Sequence, residues 1–253
     1  MDFQLTKDQL RLRDAAQKFC EIELIELANE MERENQPLPR EWLKRFADMG
    51  FLGINVPEEF GGLGLGNIEA LIVLEEFAKV SSAVAFPVFE SSVGPIKAIE
   101  HFSNQNLKKR TIPRVCSGEI IIAVAMSEAD AGTALTDLKT EAQVKGDKII
   151  LNGNKRWCSG GGHSDAYVVY CRLSNQPGAK GIGAVLVEKS SRGVSFGKQE
   201  ELMGFRGIPS ADIFLDNVEV PINNLIVPPG GFSKLMEAFD LERCGNTTMS
   251  LAC

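Results

Sequence analysis

The sequence has little that would suit a membrane or a nucleic acid. No apolar run is long enough to cross a bilayer, and the N-terminus lacks a basic segment followed by an apolar one. The formal net charge of -7 over 253 residues argues against nonspecific binding of nucleic acid. We therefore expect a cytoplasmic protein with no membrane span and no polyanion partner.

The spacing typical of metal ligands is also absent. His101 and His163 are the only histidines and stand far apart, and the six cysteines include no CxxC pair. Cysteines scattered in this way are typical of reduced thiols that pack in the interior of a protein from a reducing compartment. We predict no metal site.

The first part of the chain has helical patterning. Thr6 and Gln9 have the spacing of a capping box, and apolar residues then recur at helical intervals as far as Ile22. A second helix is expected from Pro39 to Met49, because Gly50 is a typical C-terminal stop. Three further helices are predicted at residues 68–80, 93–102 and 106–116.

From residue 118 the pattern changes to short β-rich runs separated by glycine, asparagine or proline, as in a sandwich or barrel. Strands are predicted at residues 120–125, 148–151, 166–170, 184–187 and 213–215. Apolar residues from Phe232 to Phe239 then return to helical spacing, and this last helix shows no stop signal before Cys253. We expect further helices in a complete protein.

These patterns predict an α+β fold with three parts. Residues 1–117 should form an N-terminal helical bundle domain, and residues 118–228 a middle β-barrel or sandwich domain. Residues 229–253 should be the first helix of a C-terminal helical domain.

Two glycine-punctuated segments, Met126 to Thr133 and Trp157 to Gly162, carry the strongest chemical signal. Gly132 lacks a Cβ and would let a planar or phosphorylated ligand approach the backbone. Short hydrogen-bonding hydroxyl groups are present at Ser127, Thr133 and Ser159. Either segment taken alone is more often an ordinary turn.

Four segments in their order and spacing resemble the acyl-CoA dehydrogenase family. They are Val56 to Gly62, Met126 to Thr133, Trp157 to Gly162, and Asp216 to Pro221 leading to the helix with Asp240-Leu-Glu-Arg243. The resemblance spans essentially the whole chain and covers the family's N-terminal helical domain, its middle β domain and the start of its C-terminal domain. About the last third of a family member has no counterpart here.

The resemblance implies FAD as the cofactor. Met126 and Ser127 match the family's contacts at the pyrimidine edge of the flavin ring, through a backbone amide and a hydroxyl group. Gly132 and Thr133 match positions that approach the pyrophosphate. The segment from Ala125 to Thr133 would therefore lie along the cofactor.

Trp157 and Ser159 match the family's Trp-x-Thr or Trp-x-Ser segment. By that resemblance the indole covers the flavin ring and the hydroxyl reaches flavin N5. A tryptophan beside a strand is more often a core residue, because it carries a large apolar area. Only its place in the larger match favours the cofactor role.

Glu242 is the candidate catalytic base. It shares a helix face with Leu235, Phe239 and Met249, so burial in that stripe would raise its pKa towards neutrality. Members of the family take their glutamate either from this helix or from a later segment that this chain does not contain. The alternative for Glu242 is an exposed carboxylate paired with Arg243.

Other charged residues have two readings each. Asp240 and Arg243 match substrate contacts with the pantetheine portion, or they are simply exposed on the helix. Glu90 would line an acyl pocket or lie at the N-terminus of a helix that begins near Ser91. Lys155 and its neighbour Arg156 would attract an anionic ligand or lie at a solvated strand end.

The function implied by the resemblance is an FAD-dependent acyl-CoA dehydrogenase. It would desaturate an acyl-CoA thioester by removing the α-proton and transferring the β-hydride to flavin N5. Its partners would be the acyl-CoA substrate and an electron-transfer flavoprotein, and it would form a homotetramer or homodimer. The alternatives are a flavin oxidase or monooxygenase on the same scaffold, and a noncatalytic acyl-CoA-binding module.

Overall fold

A computed structural model describes residues 4–253 of the chain, in which helices lie before and after a block of strands. Seven helices come first: α1 (Lys7–Glu23), α2 (Ile25–Glu34), α3 (Arg40–Asp48), α4 (Asn67–Val80), α5 (Ser82–Ser92), α6 (Ile96–Phe102) and α7 (Gln105–Cys116). The last helix, α8 (Phe232–Ala252), follows the strands. The predicted order of helical, β and helical segments is confirmed.

The first helix begins as the sequence predicts. The Thr6 hydroxyl accepts a hydrogen bond from the Gln9 amide at 3.2 Å, and the Gln9 side chain accepts one from the Thr6 amide at 2.9 Å. This reciprocal capping box satisfies two of the amides that a helix start leaves without partners.

Two helices escape prediction from the sequence. Leu24 separates α1 from α2 by a single residue, so the pair resembles one long helix in the periodicity. Helix α5 contains Pro87 and is buried on nearly every side, so it lacks both an uninterrupted backbone ladder and an amphipathic period. Ser81 nevertheless caps it by accepting a hydrogen bond from the Ala83 amide at 3.1 Å.

Aromatic rings hold the core of the helical region together. Phe19, Phe46, Phe51 and Phe77 come from three helices and the loop after α3, and their ring centroids lie between 5.1 and 6.0 Å apart. Edge-to-face and offset pairs at these distances add to the free energy gained by burying the rings.

Eight strands form one mixed sheet within residues 4–253. They are β1 (Ile122–Ala125), β2 (Glu141–Lys145), β3 (Lys148–Ser159), β4 (Ala166–Arg172), β5 (Ile182–Glu188), β6 (Val194–Phe196), β7 (Ser210–Pro221) and β8 (Leu225–Val227). Seven follow the order β6, β7, β3, β2, β4, β5, β8, and β1 pairs with β4. Strand β4 runs parallel to β1 and β2, and the remaining pairs are antiparallel.

The sequence underestimates the sheet. Strands β6 and β8 have three residues each, and β2 is mostly exposed, so none of them shows a clear apolar alternation. Strands β3 and β7 are each 12 residues long, far beyond the apolar runs that predict them.

Strands β4 and β5 are buried on both faces. Tyr167 and Val169 of β4 belong to one buried cluster with residues from β3, β5 and β7. Val168 and Tyr170, on the opposite face of β4, pack against α6, α7 and α8. Helices α6, α7 and α8 therefore share one hydrophobic cluster with the β region.

An irregularity in β3 places the side chains of the site. Lys155 pairs with Ile213 and Cys158 with Ala211, so β3 has one residue more than β7 over this stretch. The extra residue is a β-bulge, and Trp157 within it adopts a left-handed φ of 53°. Lys155 and Cys158 are buried, whereas Trp157 points outward.

One contact fixes the helices against the β region, and a second fixes two helices against each other. The Arg40 guanidinium forms two hydrogen bonds with the Asp165 carboxylate, at 2.7 and 3.1 Å. Gly245 of α8 packs so closely on α5 and its following turn that a Cβ placed there would lie 2.6 Å from Val93 Cγ2 and 2.9 Å from Phe89 Cδ2. The absence of a side chain at Gly245 lets α8 approach α5.

Among residues 4–253, no helix is long and apolar enough to cross a membrane. The same part of the chain contains no group of three or more histidine, cysteine, aspartate or glutamate side chains suited to a metal ion. All six cysteines are free thiols, and four of them are buried: Cys20, Cys116, Cys158 and Cys171.

Candidate active site

A cleft of about 230 Å³ lies where α5, α8, β1 and β3 come together. Six of the nine residues that the resemblance assigns to the flavin, the base or the substrate line it: Met126, Ser127, Trp157, Ser159, Glu242 and Arg243. Three others do not line it. Gly132 and Thr133 are exposed in the loop after β1, and Asp240 is exposed on α8.

Trp157 presents an indole ring to the cleft. Its side chain is 59% exposed although it belongs to a long strand, because the bulge turns it away from the interior. The Trp157 amide donates a hydrogen bond to Asp212 at 3.2 Å, and the Arg156 guanidinium lies 4.7 Å from the indole centroid. The backbone and the cation thus hold an exposed aromatic surface in place.

Ser127 and Ser159 are half-buried in the cleft wall. Neither hydroxyl makes a hydrogen bond to another atom among residues 4–253. The Ser127 carbonyl accepts a hydrogen bond from the Arg156 amide at 2.8 Å, which attaches the segment after β1 to β3. Both hydroxyl groups are therefore available to a ligand.

Gly132 lies in open surroundings. A Cβ placed on it would meet no atom within 4 Å among its neighbours. Packing within the described chain therefore does not require glycine at this position. A close approach by a ligand remains the predicted reason for glycine here.

Glu242 reaches the cleft from α8, and its side chain is 13% exposed. Burial raises the pKa of this carboxyl from an ordinary 4.5 to about 7, while the Arg243 guanidinium, 3.7 Å away, acts in the opposite direction. A carboxylate with such a pKa can accept a proton near neutral pH without holding it too tightly.

Glu90 lies inside α5 rather than before a helix, so the interpretation of this residue as a charge at a helix N-terminus is wrong. Its side chain is 5% exposed and lines the cleft with Phe86, Phe89 and Glu242. Burial, and then the charge on Glu242, raise the pKa of Glu90 well above its ordinary value. Both effects favour the neutral form of the Glu90 carboxyl.

The interpretation of Lys155 as a solvated strand end is also wrong, because the side chain is fully buried. Its ammonium group forms an ion pair with Glu128 at 2.8 Å and does not line the cleft. Of the predicted basic pair, Arg156 alone lies at the cleft, where its charge would be accessible to an anionic ligand.

Arg243 lies at the exposed side of the same cleft. Its guanidinium stacks over the Phe239 ring at 4.2 Å, one helical turn before it. This contact directs the long side chain along the surface of α8, where it stays 56% exposed.

Several residues that line the cleft were not predicted from the sequence. Phe86 and Phe89 stack with a centroid separation of 5.4 Å, and Phe205 adds an edge-to-face contact with Phe86, also at 5.4 Å. The spacing of Phe86 and Phe89 would have indicated a shared helix face, had α5 been predicted. Phe205 lies in a loop at a φ of 59°, so only tertiary packing brings it to the cleft.

Two family models match this chain. One, described as "Acyl-CoA dehydrogenase, N-terminal domain", matches residues 6–119. The other, described as "Acyl-CoA dehydrogenase, middle domain", matches residues 123–218.

Individual proteins agree with these matches. The chain is 37% identical over 248 residues to the acryloyl-CoA reductase (NADH) of Anaerotignum propionicum, an alignment that covers 97% of this chain and 62% of the relative. It is 35% identical over 243 residues to the mitochondrial isovaleryl-CoA dehydrogenase of Pongo abelii, covering 94% of this chain and 57% of that protein. The chain thus spans about three fifths of the length of these relatives.

A solved structure extends the likeness to the fold. The glutaryl-coenzyme A dehydrogenase in complex with glutaryl-CoA superimposes with a TM-score of 0.95 at 28% sequence identity. The superposition covers 100% of this chain and 65% of that one.

Proposed function

The chain belongs to the acyl-CoA dehydrogenase family, and from this premise we propose that the protein is an FAD-dependent acyl-CoA dehydrogenase. Its substrate would be an acyl-CoA thioester, which it converts to the trans-2-enoyl-CoA. One observation supports the proposal most strongly. The carboxyl of Glu242, whose pKa is raised, and the exposed indole of Trp157 line the same cleft.

The described residues fit a flavin. The exposed ring of Trp157 offers an aromatic surface, and the hydroxyls of Ser127 and Ser159 have no hydrogen-bond partner among residues 4–253. Open space at Gly132 would admit a phosphate group beside the backbone. These residues, with Met126 and Thr133, are the ones we propose to hold FAD.

The proposed chemistry divides between cofactor and protein. When bound, FAD would accept the hydride from the substrate Cβ. Glu242 would remove the proton from Cα, and that proton would then reside on its carboxyl group. Because Glu242 is largely buried, its ionised form is poorly solvated and gains by taking up the proton.

Arg243 would orient the substrate from the exposed side of the cleft. Asp240, exposed on the same helix, is kept as a contact for the pantetheine portion on the strength of the family resemblance. The proposal also includes an electron-transfer flavoprotein as the electron acceptor, assembly as a homotetramer or homodimer, and a cytoplasmic location.

The test follows the flavin spectrum of the purified full-length protein during anaerobic titration with saturated acyl-CoA esters of graded length and branching. We expect at least one ester to bleach the flavin band. Because an enzyme catalyses its reaction in both directions, the panel also includes 2-enoyl-CoA esters. These are added to the protein after its flavin has been reduced. Absence of bleaching by every saturated ester would contradict the proposal.

Glu242→Gln isolates the proposed base. The rate of bleaching should fall by about 10²- to 10⁴-fold, the range typical of general acid–base catalysis. Glu237→Gln serves as the matched control, because Glu237 is exposed on the same helix and does not line the cleft. Equal rates for wild type and Glu242→Gln would remove Glu242 from this role.

The same preparation separates the alternatives. A flavin oxidase or monooxygenase would reoxidise rapidly in air after bleaching, whereas a dehydrogenase would wait for the electron-transfer flavoprotein. A noncatalytic acyl-CoA-binding module would be colourless and would bind the esters without turnover.

A further inference from the structure

A buried ion pair lies behind the segment that follows β1. The Lys155 ammonium group is fully enclosed in the β region and donates hydrogen bonds to the Met126 carbonyl at 3.0 Å and to Glu128 Oε1 at 2.8 Å. The Glu128 side chain is itself only 9% exposed. One side chain of β3 therefore holds two points on the Met126–Glu128 segment.

Glu128 extends this network to a third segment. Its two carboxylate oxygens accept hydrogen bonds from the amides of Lys139, at 2.6 Å, and Thr140, at 2.9 Å. Burial raises the pKa of Glu128, but the charge and hydrogen bond of Lys155 and these amides outweigh it, so the pKa is lowered and the group is ionised. The ion pair thus ties β3 to the chain on both sides of the loop that contains Gly132.

Hydrophobic side chains would fill this space without the cost of desolvating two charges. A buried ion pair commonly contributes little net stability compared with well-packed apolar residues, so its presence calls for another explanation. The best-attested role of such groups is to fix one arrangement of the backbone.

The arrangement that Lys155 fixes is a peptide plane. In a trans peptide the carbonyl of one residue and the amide of the next point in opposite directions. Because the Met126 carbonyl points to the buried Lys155, the Ser127 amide points away from it. The Ser127 amide donates to no other atom among residues 4–253, and Ser127 lines the cleft.

The next peptide is fixed as well. The Ser127 carbonyl accepts a hydrogen bond from the Arg156 amide at 2.8 Å. Two consecutive carbonyls are therefore held by two consecutive residues of β3, one through a side chain and one through the backbone. This leaves the Ser127 amide as a hydrogen-bond donor with a fixed direction.

We infer that Lys155 is a positioning residue that, held by Glu128, orients the Met126–Ser127 peptide so that the Ser127 amide donates to the bound cofactor. The acceptor would be an oxygen or nitrogen of the pyrimidine edge of the flavin. This inference rests on the proposed function, which supplies the cofactor. Lys155 itself touches neither the cofactor nor the substrate.

The helical region contains a matched control. Lys97 is also buried, and its ammonium group donates to the Asn55 carbonyl at 2.9 Å and to Glu100 at 2.6 Å. It reproduces the chemistry of Lys155, with one backbone carbonyl and one carboxylate, but it does not line the cleft. Lys97→Met therefore reports the effect of losing a buried ion pair alone.

The experiment compares Lys155→Met, the double variant Lys155→Met/Glu128→Gln and Lys97→Met in the full-length protein. Three quantities are measured: the dissociation constant of FAD, the position of the flavin absorption bands, and hydrogen exchange of backbone amides before and after FAD is added. The thermal midpoint of the apoprotein is recorded for each variant.

Lys155→Met should weaken FAD binding by about tenfold, the effect of losing one well-directed hydrogen bond, and should shift the flavin bands. Exchange at the Arg156 amide should become faster in the apoprotein, because the segment that it binds is no longer held. FAD should protect the Ser127 amide in wild type and fail to protect it in the variant.

The double variant separates positioning from stability. Removing both charges leaves no unpaired buried ion, so its thermal midpoint should recover towards the wild-type value. Its affinity for FAD should stay low, because the Met126 carbonyl still lacks its donor. Lys97→Met should lower the thermal midpoint without changing FAD affinity, the flavin bands or exchange at Arg156.

A purely structural role for Lys155 gives a different pattern. In that case Lys155→Met would resemble Lys97→Met, with a lower thermal midpoint and unchanged flavin properties, and the inference would be overturned. A wild-type protein that binds no flavin would overturn the proposed function instead. Exchange at Arg156 would then still decide whether Lys155 holds the segment, and unchanged exchange would refute that too.

Discussion

Glu90 of α5 and Glu242 of α8 line the same cleft, and each has a pKa above its ordinary value. Burial raises the pKa of Glu242 to about 7, and the pKa of Glu90 is raised well above its ordinary value by burial and then by the charge on Glu242. Two carboxylates that share a site do not both ionise readily, so ionised Glu242 favours the protonated form of Glu90.

This relationship predicts the effect of Glu90→Gln. The substitution replaces a carboxyl whose neutral form is favoured beside ionised Glu242, so it should leave the ascending limb of the pH profile of kcat/KM near pH 7, within a few tenths of a unit. The measurement is the pH dependence of kcat/KM for wild type and variant. If Glu90 were ionised there, removing its charge would move the limb down by about one unit or more, and such a shift would contradict this interpretation.

Glu242→Gln should change how stability depends on pH. The folded-state pKa of about 7 exceeds the ordinary 4.5, so the unfolded chain loses its proton first, and wild-type stability falls as pH rises through this window. The penalty is fully developed above pH 7 and amounts to about 3 kcal/mol at 1.36 kcal/mol per unit. The glutamine variant escapes it.

The check is the thermal midpoint of both proteins at pH 4.5 and pH 8, without substrate. The variant should gain stability relative to wild type on going to pH 8, and Glu237→Gln, at an exposed position of α8, should show no such gain. A constant difference between wild type and Glu242→Gln across this range would show that the carboxyl is not desolvated.

Trp157 should contribute to cofactor binding rather than to the fold. Its indole is 59% exposed, so Trp157→Ala should leave the thermal midpoint of the apoprotein nearly unchanged. Loss of ring stacking should weaken FAD binding by roughly 0.5–1.5 kcal/mol, or about tenfold at most. Isothermal titration with FAD measures this effect.

Tryptophan fluorescence provides an independent measurement. The chain has only two tryptophans, and Trp42 packs on Phe46 in the helical region, away from the cleft. FAD should quench the emission of Trp157, so Trp42→Phe should retain the quenching and Trp157→Phe should lose most of it. The reverse result would place the flavin elsewhere.

Gly245→Ala should disturb the cleft through packing alone. The new Cβ would lie 2.6 Å from Val93 and 2.9 Å from Phe89, so α8 must move away from α5. Overpacking typically costs about 1–3 kcal/mol, offset in part by about 1 kcal/mol of helix propensity. We expect a lower thermal midpoint and a lower kcat, because Glu242 lies on the displaced helix.

Ser233→Ala is the control for this change, since Ser233 is exposed on α8 and lines no part of the cleft. A wild-type kcat and a wild-type thermal midpoint for Gly245→Ala would contradict the prediction, because they would show that a Cβ fits between α8 and α5.

Local signals predict much of the helical region. The capping box at Thr6 and the glycine after Met49 both mark helix boundaries close to those observed. Helix α5 could not be predicted because it is buried on nearly every side. A helix without a polar face shows no 3.6-residue alternation of apolar and polar residues. Pro87 reinforces the error, since it removes one backbone donor from the helix.

The cleft likewise contains some residues that the sequence predicts and others that it does not. Trp157 and Glu242 can be singled out from the sequence because each stands in a segment that resembles a known family, and both line the cleft. Lys155 could have been predicted as buried, because it shares the parity of Ile149 and Leu151 in β3. Phe205 could not, because its position depends on the path of a loop across the molecule.

The bulge in β3 makes the length of this strand as important as its composition. Lys155 and Trp157 are two residues apart and would share a face of a regular strand, yet one is enclosed and the other is exposed. Deleting Arg156 would restore regular alternation with Lys155 still inward and Trp157 still outward, but it would remove the amide that binds the Ser127 carbonyl. A substitution in this stretch changes one side chain, whereas a change of length alters which backbone group of β3 faces the segment after β1.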